Sequence, residues 1–395
     1  MVDFKTEAEA LREELIERRR DLHRHPELAF EEFRTGGIVA QELNRLGFEV
    51  QTGVGKTGVV GILEGAHDGP TVLVRADMDA LPIQEQNAVD YASETPGKMH
   101  ACGHDGHTTI ALGVAKLLAA RRDQLAGRVK FVFQPAEETA QGAKSMIRDG
   151  ALQNPRPDVS IGLHLWNSLP LGSLGVADGP IMAGSSEFTI HVEGKGGHAA
   201  SPHLGRDPVL CAAQLITQFQ TIPSRNLDPF DSAVISTTMM RAGTAFNVIP
   251  QNTELMGTLR FFRREVRDQV VACMAEMVEH TCLAMGCVGT MKFDHQTEPV
   301  NNDPAISGKL RECFKRIEGV TTLDMTARTM GAEDVGFFMS EIPGMYFFVG
   351  AADPAAETYY GHHHPRFSID ENALPFAAAL LASAVAVYVL PDADA

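Results

Sequence analysis

Residues able to bind metal ions are concentrated in four short segments of the chain. The segments are MHACGHDGH (99–107), QPAEE (134–138), LHLW (163–166) and GHHHPRF (361–367). Thiolate, imidazole and carboxylate groups together suit borderline divalent ions such as Zn²⁺, and carboxylate with imidazole also serves Mn²⁺. A single cysteine or histidine is more often a buried packing residue, but the four segments together predict a metal site.

The number of candidate ligands predicts more than one ion. Four ligands saturate a tetrahedral ion. The segments offer a larger set: Cys102, His104, Glu138, His164 and one of the three histidines 362–364. We therefore expect two divalent ions in each subunit, either Zn²⁺ or Mn²⁺.

The adjacent acids Glu137 and Glu138 predict catalysis. In an extended loop neighbouring side chains point to opposite sides, so one acid can bind metal while the other faces the substrate. A carboxylate in that place can accept a proton from a water and pass it to a leaving amine, which is what amide hydrolysis requires. The alternative is that both acids lie at the start of a helix, where the helix dipole favours negative charge.

Other polar residues have roles that their own sequence context leaves open. Asp77 and Asp79 in VRADMDALP (74–82) either orient a ligand or the general base, or cap the end of a strand. His198 in GKGGHAASPH (194–203) is far in sequence from the metal segments. It could reach an active site only across a cleft or an interface.

Asn247 and Arg260 form the last candidate pair. Asn247 lies in RAGTAFNVIPQ (241–251) and Arg260 lies in GTLRFF (257–262). Their own sequence context favours a hairpin turn for Asn247 and a surface charge for Arg260 over a functional role.

Alternating strands and helices must position the metal segments in the first and last thirds of the chain. Short apolar runs predict strands at 58–63, 71–76, 128–134, 158–165 and 345–349. Helical spacing of apolar residues predicts helices at 7–24, 35–46, 107–120, 143–148, 305–317, 333–339 and 376–390. This order predicts an α/β domain with a central, mostly parallel sheet, whose strands present ligands at their carboxyl ends.

The middle third of the chain has the order β-α-β-β-α-β. The predicted elements are strand 187–192, helix 207–219, strands 233–241 and 254–262, helix 265–285 and strand 288–293. This is the ferredoxin-like arrangement, which builds its own small core. We therefore predict a catalytic domain in two parts, 1–185 and 295–395, interrupted by an inserted α+β domain at 186–294.

Composition excludes several classes of protein. The chain has 395 residues, enough for two or three domains, and its 34 Lys+Arg against 51 Asp+Glu give a net charge of −17. Such a surface repels nucleic-acid phosphates and anionic lipids, so we expect neither nucleic acid nor membrane as a partner. Six cysteines without a CxxC pair predict reduced thiols, and the lack of an apolar leader predicts a cytoplasmic protein.

Seven segments, taken in order, resemble one known family over about residues 15–375. They are DLHRHPELAFEE, RADMDALP, MHACGHDGHT, FQPAEE, GKGGHAASPH, NVIPQ and HHPRF. The chain resembles the M20 metallopeptidase family, in its branch of N-acyl-amino-acid amidohydrolases, which includes hippurate hydrolases and plant auxin-conjugate hydrolases. The resemblance implies a catalytic α/β domain with two metal ions and an inserted satellite domain that dimerises in many relatives.

The resemblance also implies roles for individual residues. The implied metal ligands are Cys102, His104, Glu138, His164 and His363. Glu137 matches the catalytic base, Asp79 matches the acid that orients the metal centre, and His198 matches a satellite-domain histidine that enters the partner subunit's site and stabilises the oxyanion. Asn247 and Arg260 match residues that contact substrate in relatives.

One segment departs from the family pattern. The wider family has His-x-Asp at the first strand end, whereas this chain has Asp77, Met78 and Asp79. The histidine ligand expected there is absent, and the resemblance implies that Cys102 and His104 replace it, as in the acyl-amino-acid branch.

We therefore expect a metal-dependent amidohydrolase that cleaves the amide bond of an N-acylated amino acid, and a homodimer or higher homo-oligomer. A dipeptidase or carboxypeptidase is one alternative, since a peptide is also an N-acyl amino acid. A cysteine hydrolase with Cys102 as nucleophile and His104 or His107 as base is another. A metal-binding module without activity is the third, but metal binding alone does not need the extra carboxylate of Glu137.

Overall fold

The chain folds into two compact units, and the computed structural model describes residues 4–353 and 359–390. The first unit is formed by the described residues of three stretches: Met1–Ile181, Val300–Arg328 and Asp334–Ala395. The second unit is formed by two stretches: Met182–Pro299 and Thr329–Glu333.

The described residues form ten α-helices and sixteen strands. The helices are α1 (Lys5–Ala10), α2 (Arg12–Arg24), α3 (Phe33–Arg45), α4 (His104–Ala119), α5 (Gly142–Arg148), α6 (Pro208–Phe219), α7 (Arg264–Ala284), α8 (Pro304–Phe314), α9 (Gly336–Glu341) and α10 (Ala373–Val389). The strands are β1 (Glu49–Val54), β2 (Gly58–Glu64), β3 (His67–Asp77), β4 (Ala126–Gln134), β5 (Val159–Trp166), β6 (Ser173–Gly175), β7 (Gly179–Glu193), β8 (Gly197–His198), β9 (Ala233–Ala242), β10 (Val248–Ile249), β11 (Asn252–Phe261), β12 (Val288–Thr297), β13 (Val300–Asn302), β14 (Thr322–Asp324), β15 (Thr329–Ala332) and β16 (Gly344–Gly350).

The first unit is built on an eight-stranded sheet with the order β1-β2-β4-β3-β5-β16-β6-β14. Its central neighbours β4, β3, β5 and β16 run parallel to one another. Antiparallel pairs lie toward the edges, where β1 joins β2, β2 joins β4 and β16 joins β6. The predicted α/β class with a mostly parallel centre is confirmed, and the carboxyl ends of four strands meet along one edge of the sheet.

Helices α4 and α10 fix the sheet in the core of the first unit. The apolar residues of α10 surround the helix on all sides, and most of it is buried against α4 and the sheet, as expected of a core helix. Gly113 lets α4 approach α2, because a Cβ atom there would lie 2.9 Å from Cδ2 of Leu15. None of the helices in the described ranges is both long enough and apolar enough to span a membrane.

One predicted helix is interrupted. Residues 7–24 were expected to form a single helix, but the chain turns at Leu11 (φ −92°, ψ −1°) between α1 and α2. Ala8 of α1 and Phe4, the residue before α1, are buried in the main core. Apolar spacing could not show the break, because it stays close to helical on both sides of the turn.

The second unit is an antiparallel sheet with the order β12-β7-β11-β9, packed against α6 and α7. Helix α7 buries one residue in every turn: Val266, Val270, Met274, Val278 and Cys282. The chain order β7-α6-β9-β11-α7-β12 confirms the predicted ferredoxin-like arrangement. Strand β15 also belongs here and pairs in parallel with β7. Its four residues are too few to show an alternating pattern, so the sequence did not predict it.

Lys130 of β4 is a buried amine that holds a loop of the first unit. Its Nζ donates to the carbonyl oxygens of Ala151 (3.0 Å), Gln153 (2.6 Å) and Pro155 (2.9 Å), and the residue is 1% exposed. Burial lowers its pKa to about 8. Three main-chain acceptors in one loop therefore depend on a single side chain.

We expect Lys130→Met to lower the free energy of unfolding by about 3 kcal/mol, because it leaves buried carbonyl groups without their donor. Urea unfolding monitored by circular dichroism measures the loss. Lys116→Met is the control, since the partly exposed pair of Lys116 and Glu14 contributes at most about 1 kcal/mol. Equal losses in the two variants would show that the loop does not depend on the buried amine.

Candidate metal centre

Cys102, His104 and His164 form the first cluster of possible ligands. One ligand atom from each lies within 4.8 Å of the others, and Cys102 Sγ is 3.6 Å from His164 Nε2. Gly103 precedes α4 in a left-handed conformation (φ 92°) that most residues avoid, so Cys102 and His104 can stand on either side of a sharp turn. His164 comes from the carboxyl end of β5.

The ring of His104 is oriented for metal binding. Its Nδ1 donates to the main-chain oxygen of Asp79 (2.9 Å), which leaves Nε2 as an acceptor. That nitrogen is buried and has no hydrogen-bond partner among the described residues. It lies 3.9 Å from carboxylate oxygens of both Glu137 and Glu138. A buried nitrogen acceptor that lacks a hydrogen-bond partner and lies beside two carboxylates is suited to bind a cation.

Cys102, Glu138 and His363 form a second cluster within the same distance limit. His363 Nε2 is 3.3 Å from Glu138 Oε2. The two clusters share Cys102, and together they contain all five ligands that the resemblance implies. Sulfur, nitrogen and oxygen donors in this combination fit divalent transition-metal ions.

The three neighbouring histidines differ in what their rings contact. His362 donates from Nε2 to the main-chain oxygen of Leu165 (3.1 Å). His364 accepts at Nδ1 from the N–H of Arg366 (3.0 Å). His363 instead has a left-handed backbone (φ 66°), which turns its ring toward Glu138. Of the three candidates, the structure therefore brings only His363 to the cluster.

His107 is engaged at both ring nitrogens. Its Nδ1 donates to Asp77 Oδ1 (2.7 Å), and its Nε2 accepts from the N–H of Leu165 (2.9 Å). Burial alone would raise the pKa of Asp77, but His104, His107 and Arg75 outweigh it and hold that pKa well below its usual range. His107 thus ties α4 to two strand ends, and both of its ring nitrogens are already hydrogen-bonded. With Asp77 and His104 it also forms a third group of possible ligands.

Asp79 holds the loop that carries the two adjacent acids. Its Oδ1 accepts from the N–H of Glu137 and its Oδ2 from the N–H of Glu138, both at 3.0 Å. Asp79 is 1% exposed. Asp79 therefore accepts hydrogen bonds from the main chain of the loop and from the ring of His104, and both contacts are of the kind that the predicted orienting role needs.

Cys102 is poorly suited to act as a nucleophile. Burial, and next the charge of Glu138, raise the pKa of its thiol well above the usual range. The reactive form of a cysteine is the thiolate, which this environment disfavours unless a cation is present. The geometry therefore favours Cys102 as a metal ligand over the alternative of a cysteine hydrolase.

His198 and Asn247 lie together in the second unit, on the two-stranded ribbon of β8 and β10. His198 pairs with Val248, and the main-chain oxygen of Asn247 accepts from the N–H of Ala199 (3.0 Å). His198 Nδ1 accepts from the N–H of Ala200 (3.0 Å), so a neutral ring carries its proton on Nε2. Both His198 and Asn247 are exposed, and His198 can present a donor to a ligand.

Arg260 is separated from this ribbon within the same unit. The ribbon adjoins the Asn252 end of β11, where Asn252 pairs with Glu193, whereas Arg260 pairs with Ser185 near the other end. Eight residues of strand span about 27 Å. The structure thus brings His198 and Asn247 together and leaves Arg260 far from both.

Glu32 is a residue near the site to which the sequence assigned no role. Its carboxylate accepts from the N–H of Ala136, immediately before Glu137 (2.9 Å). Glu32 lies inside the segment DLHRHPELAFEE, so its position in a long family-like segment was the available signal. Its partner is 104 residues away, and no spacing rule predicts such a contact.

Ligand clusters at the carboxyl ends of a parallel sheet, with one further carboxylate beside them, define a metal-dependent hydrolase. Residues 73–386 match the model of peptidase family M20/M25/M40, and the chain belongs to this family.

Individual relatives agree with this assignment. The chain is 40% identical to N-acetyl-L-cysteine deacetylase of Bacillus subtilis over 92% of its own length and 85% of that protein. It is 38% identical to thermostable carboxypeptidase 2 of Saccharolobus solfataricus over 95% of each chain. A crystal structure of a dinuclear metal-binding peptidase of the M20 family from Bacillus subtilis matches with a TM-score of 0.84 and 36% identity, covering 95% of this chain and 98% of that one. The predicted family and the predicted enzyme class, a metal-dependent amidohydrolase, are confirmed.

Substitution of individual histidines tests the ligand assignment without an activity assay. We expect His363→Ala to weaken the binding of one divalent ion by at least about 100-fold, more than the loss of an outer hydrogen-bond partner usually costs. Titration of the metal-free protein with Zn²⁺ or Mn²⁺, followed by elemental analysis, measures it. His364→Ala is the matched control and should bind both ions as the wild type does. The reverse result would move the ligand to position 364.

Proposed function

We propose that this enzyme hydrolyses the amide bond of N-acyl amino acids with two divalent ions, Zn²⁺ or Mn²⁺, in each subunit. One observation carries the proposal: the Glu137 carboxylate stands 3.9 Å from His104 Nε2, beside the two ligand clusters described above, neither of which includes it. The deacetylase relative supports an acylated amino acid as substrate.

The ligands divide between the two clusters in this proposal. Cys102, His104 and His164 would hold one ion, and Cys102, Glu138 and His363 would hold the other. Bound divalent ions would polarise the amide carbonyl and make a water more acidic.

Glu137 moves the proton in this reaction. It accepts a proton as the water oxygen forms its bond to the carbonyl carbon, and it delivers that proton to the nitrogen as the C–N bond breaks. The products are a carboxylic acid and a free amino acid. Asp79 keeps the loop of Glu137 in place throughout, and the Nε2–H of His198 donates to the carbonyl oxygen as its negative charge develops.

A homodimer would bring the separated substrate residues together. The stretch of β11 from Asn252, next to the ribbon of His198 and Asn247, to Arg260 spans about 27 Å, which is longer than one small substrate. Two chains can supply these residues to the same site. The second unit also has an edge strand, β9, with exposed Met239 and Met240, which is a surface suited to pairing with a second copy.

A carboxypeptidase is the second candidate, because thermostable carboxypeptidase 2 is a relative of similar identity. A panel of N-acetyl-, N-benzoyl- and dipeptide substrates separates the two activities. The panel is assayed with chelated protein before and after addition of Zn²⁺ or Mn²⁺ in turn.

We further expect a cytoplasmic enzyme, since all six cysteines are free thiols.

We expect Glu137→Gln to lower kcat by about 1,000-fold or more, because the amide cannot accept a proton. Metal content should stay at the wild-type level, as Glu137 is outside the proposed ligand set. Steady-state kinetics and elemental analysis of the same preparation test both statements. Activity near that of the wild type would show that another group is the base.

Mixed dimers test whether His198 serves the partner's site. His198→Ala and Glu137→Gln should each be nearly inactive alone, and their co-expression should restore about a quarter of wild-type activity, since half of the dimers are mixed and each has one complete site. Co-expression of His198→Ala with His198→Ala, Glu137→Gln is the control and should restore none. No recovery in purified mixed dimers would place His198 in its own subunit's site or outside the reaction.

A further inference from the structure

Glu32 makes three hydrogen bonds from a fully buried position. It is 0% exposed and lies immediately before α3. One oxygen accepts from the N–H groups of Phe30 (3.0 Å) and Ala136 (2.9 Å), and the other accepts from the hydroxyl of Thr57. Only Ala136 belongs to the loop that carries the acids 137 and 138.

Ala136 has a backbone conformation that needs support. Its φ of 53° lies in the left-handed region, which costs an alanine free energy unless its surroundings fix it. The next two N–H groups, of Glu137 and Glu138, are bound by Asp79. Three consecutive N–H groups are thus held by two buried carboxylates, and this sets the direction in which the Glu137 side chain leaves the main chain.

Stability alone does not explain a carboxylate at position 32. Glu32 forms no ion pair with any described residue, and burial raises its pKa to about 7. Burying an acid without a cation is unfavourable for folding. The carboxylate instead fixes the position of Ala136 at the start of the loop.

We propose that Glu32 is a positioning residue for catalysis: it fixes Ala136 in its left-handed conformation and thereby aims the Glu137 carboxylate. The inference rests on the proposed function of Glu137 as the base. Glu32 hydrogen-bonds to Phe30, Thr57 and Ala136 and to none of the proposed metal ligands, so its effect reaches the reaction through the loop.

Two variants of Glu32 separate positioning from charge. In Glu32→Gln the amide oxygen can still accept from both N–H groups, and the amide nitrogen can donate to Thr57, so we expect kcat within about threefold of the wild type. In Glu32→Ala the loop loses its anchor and kcat should fall about 100-fold, the size of effect that a misplaced catalytic group produces. KM and the metal content should change little in either variant.

If Glu32→Ala does not fold, Glu32→Asp replaces it. The shorter side chain keeps the charge but cannot reach Ala136 and Phe30 together, so kcat should again fall while metal content is kept. A wild-type kcat in a folded Ala or Asp variant would overturn the proposal, and so would an equal loss in the Gln variant.

Glu27 provides a matched control from the same stretch of chain. Its carboxylate also accepts from two N–H groups, of Arg34 and Thr35 (both 2.8 Å), but these belong to α3 and not to the catalytic loop. We expect Glu27→Ala to lower thermal stability and to leave kcat of the folded enzyme unchanged. A loss of kcat as large as that of Glu32→Ala would show that any lost anchor in this region impairs the enzyme.

A double-mutant comparison ties the effect to Glu137. If Glu32 acts by aiming the base, Glu32→Ala should cost no further activity in the Glu137→Gln background. An equal fold loss in both backgrounds would overturn the proposal. The proposed function fails in a different way, through Glu137→Gln alone keeping near wild-type activity, so the two failures are distinguishable.

Discussion

The candidate site depends on the buried carboxylate of Asp79, which accepts hydrogen bonds from two neighbouring N–H groups. It fixes Glu137 and Glu138 at once, and the main-chain oxygen of the same residue orients His104. The proposed base, one ligand on the loop and one on α4 therefore take their positions from a single residue. Displacing Asp79 would disturb proton transfer and metal binding together.

The remaining hydrogen bonds extend this anchoring across the strand ends. His107 of α4 links Asp77 at the end of β3 to Leu165 at the end of β5. Arg75 donates to Asp77 from the other side (2.6 Å). These contacts are made by groups outside the ligand clusters, so the ligand side chains are already oriented by the fold, as effective metal centres require.

Much of this arrangement follows from the sequence for a physical reason. Parallel order brings strand ends to one edge, so segments far apart in sequence, such as those of Cys102 and His164, are expected to meet. Local spacing did not select His363 among three histidines, because the selection depends on a left-handed backbone at that residue, and only the family resemblance indicated it. Local spacing also does not predict the contacts of His107 and Glu32, whose partners are set by strand register and loop packing.

The second unit shows a different limit of sequence reasoning. The resemblance assigned His198 to the oxyanion and Asn247 and Arg260 to the substrate, yet the pairing of β11 with β7 places Arg260 near the opposite end of β11 from the ribbon. A rigid strand cannot fold back to close that distance, since its length is set by about 3.4 Å per residue. If all three residues act on one substrate, a second copy of the chain would supply those that lie at the far end of the strand. The exposed Phe246 beside Asn247 agrees with the proposed homodimer, because a fully exposed aromatic ring is costly in water and favourable in an interface.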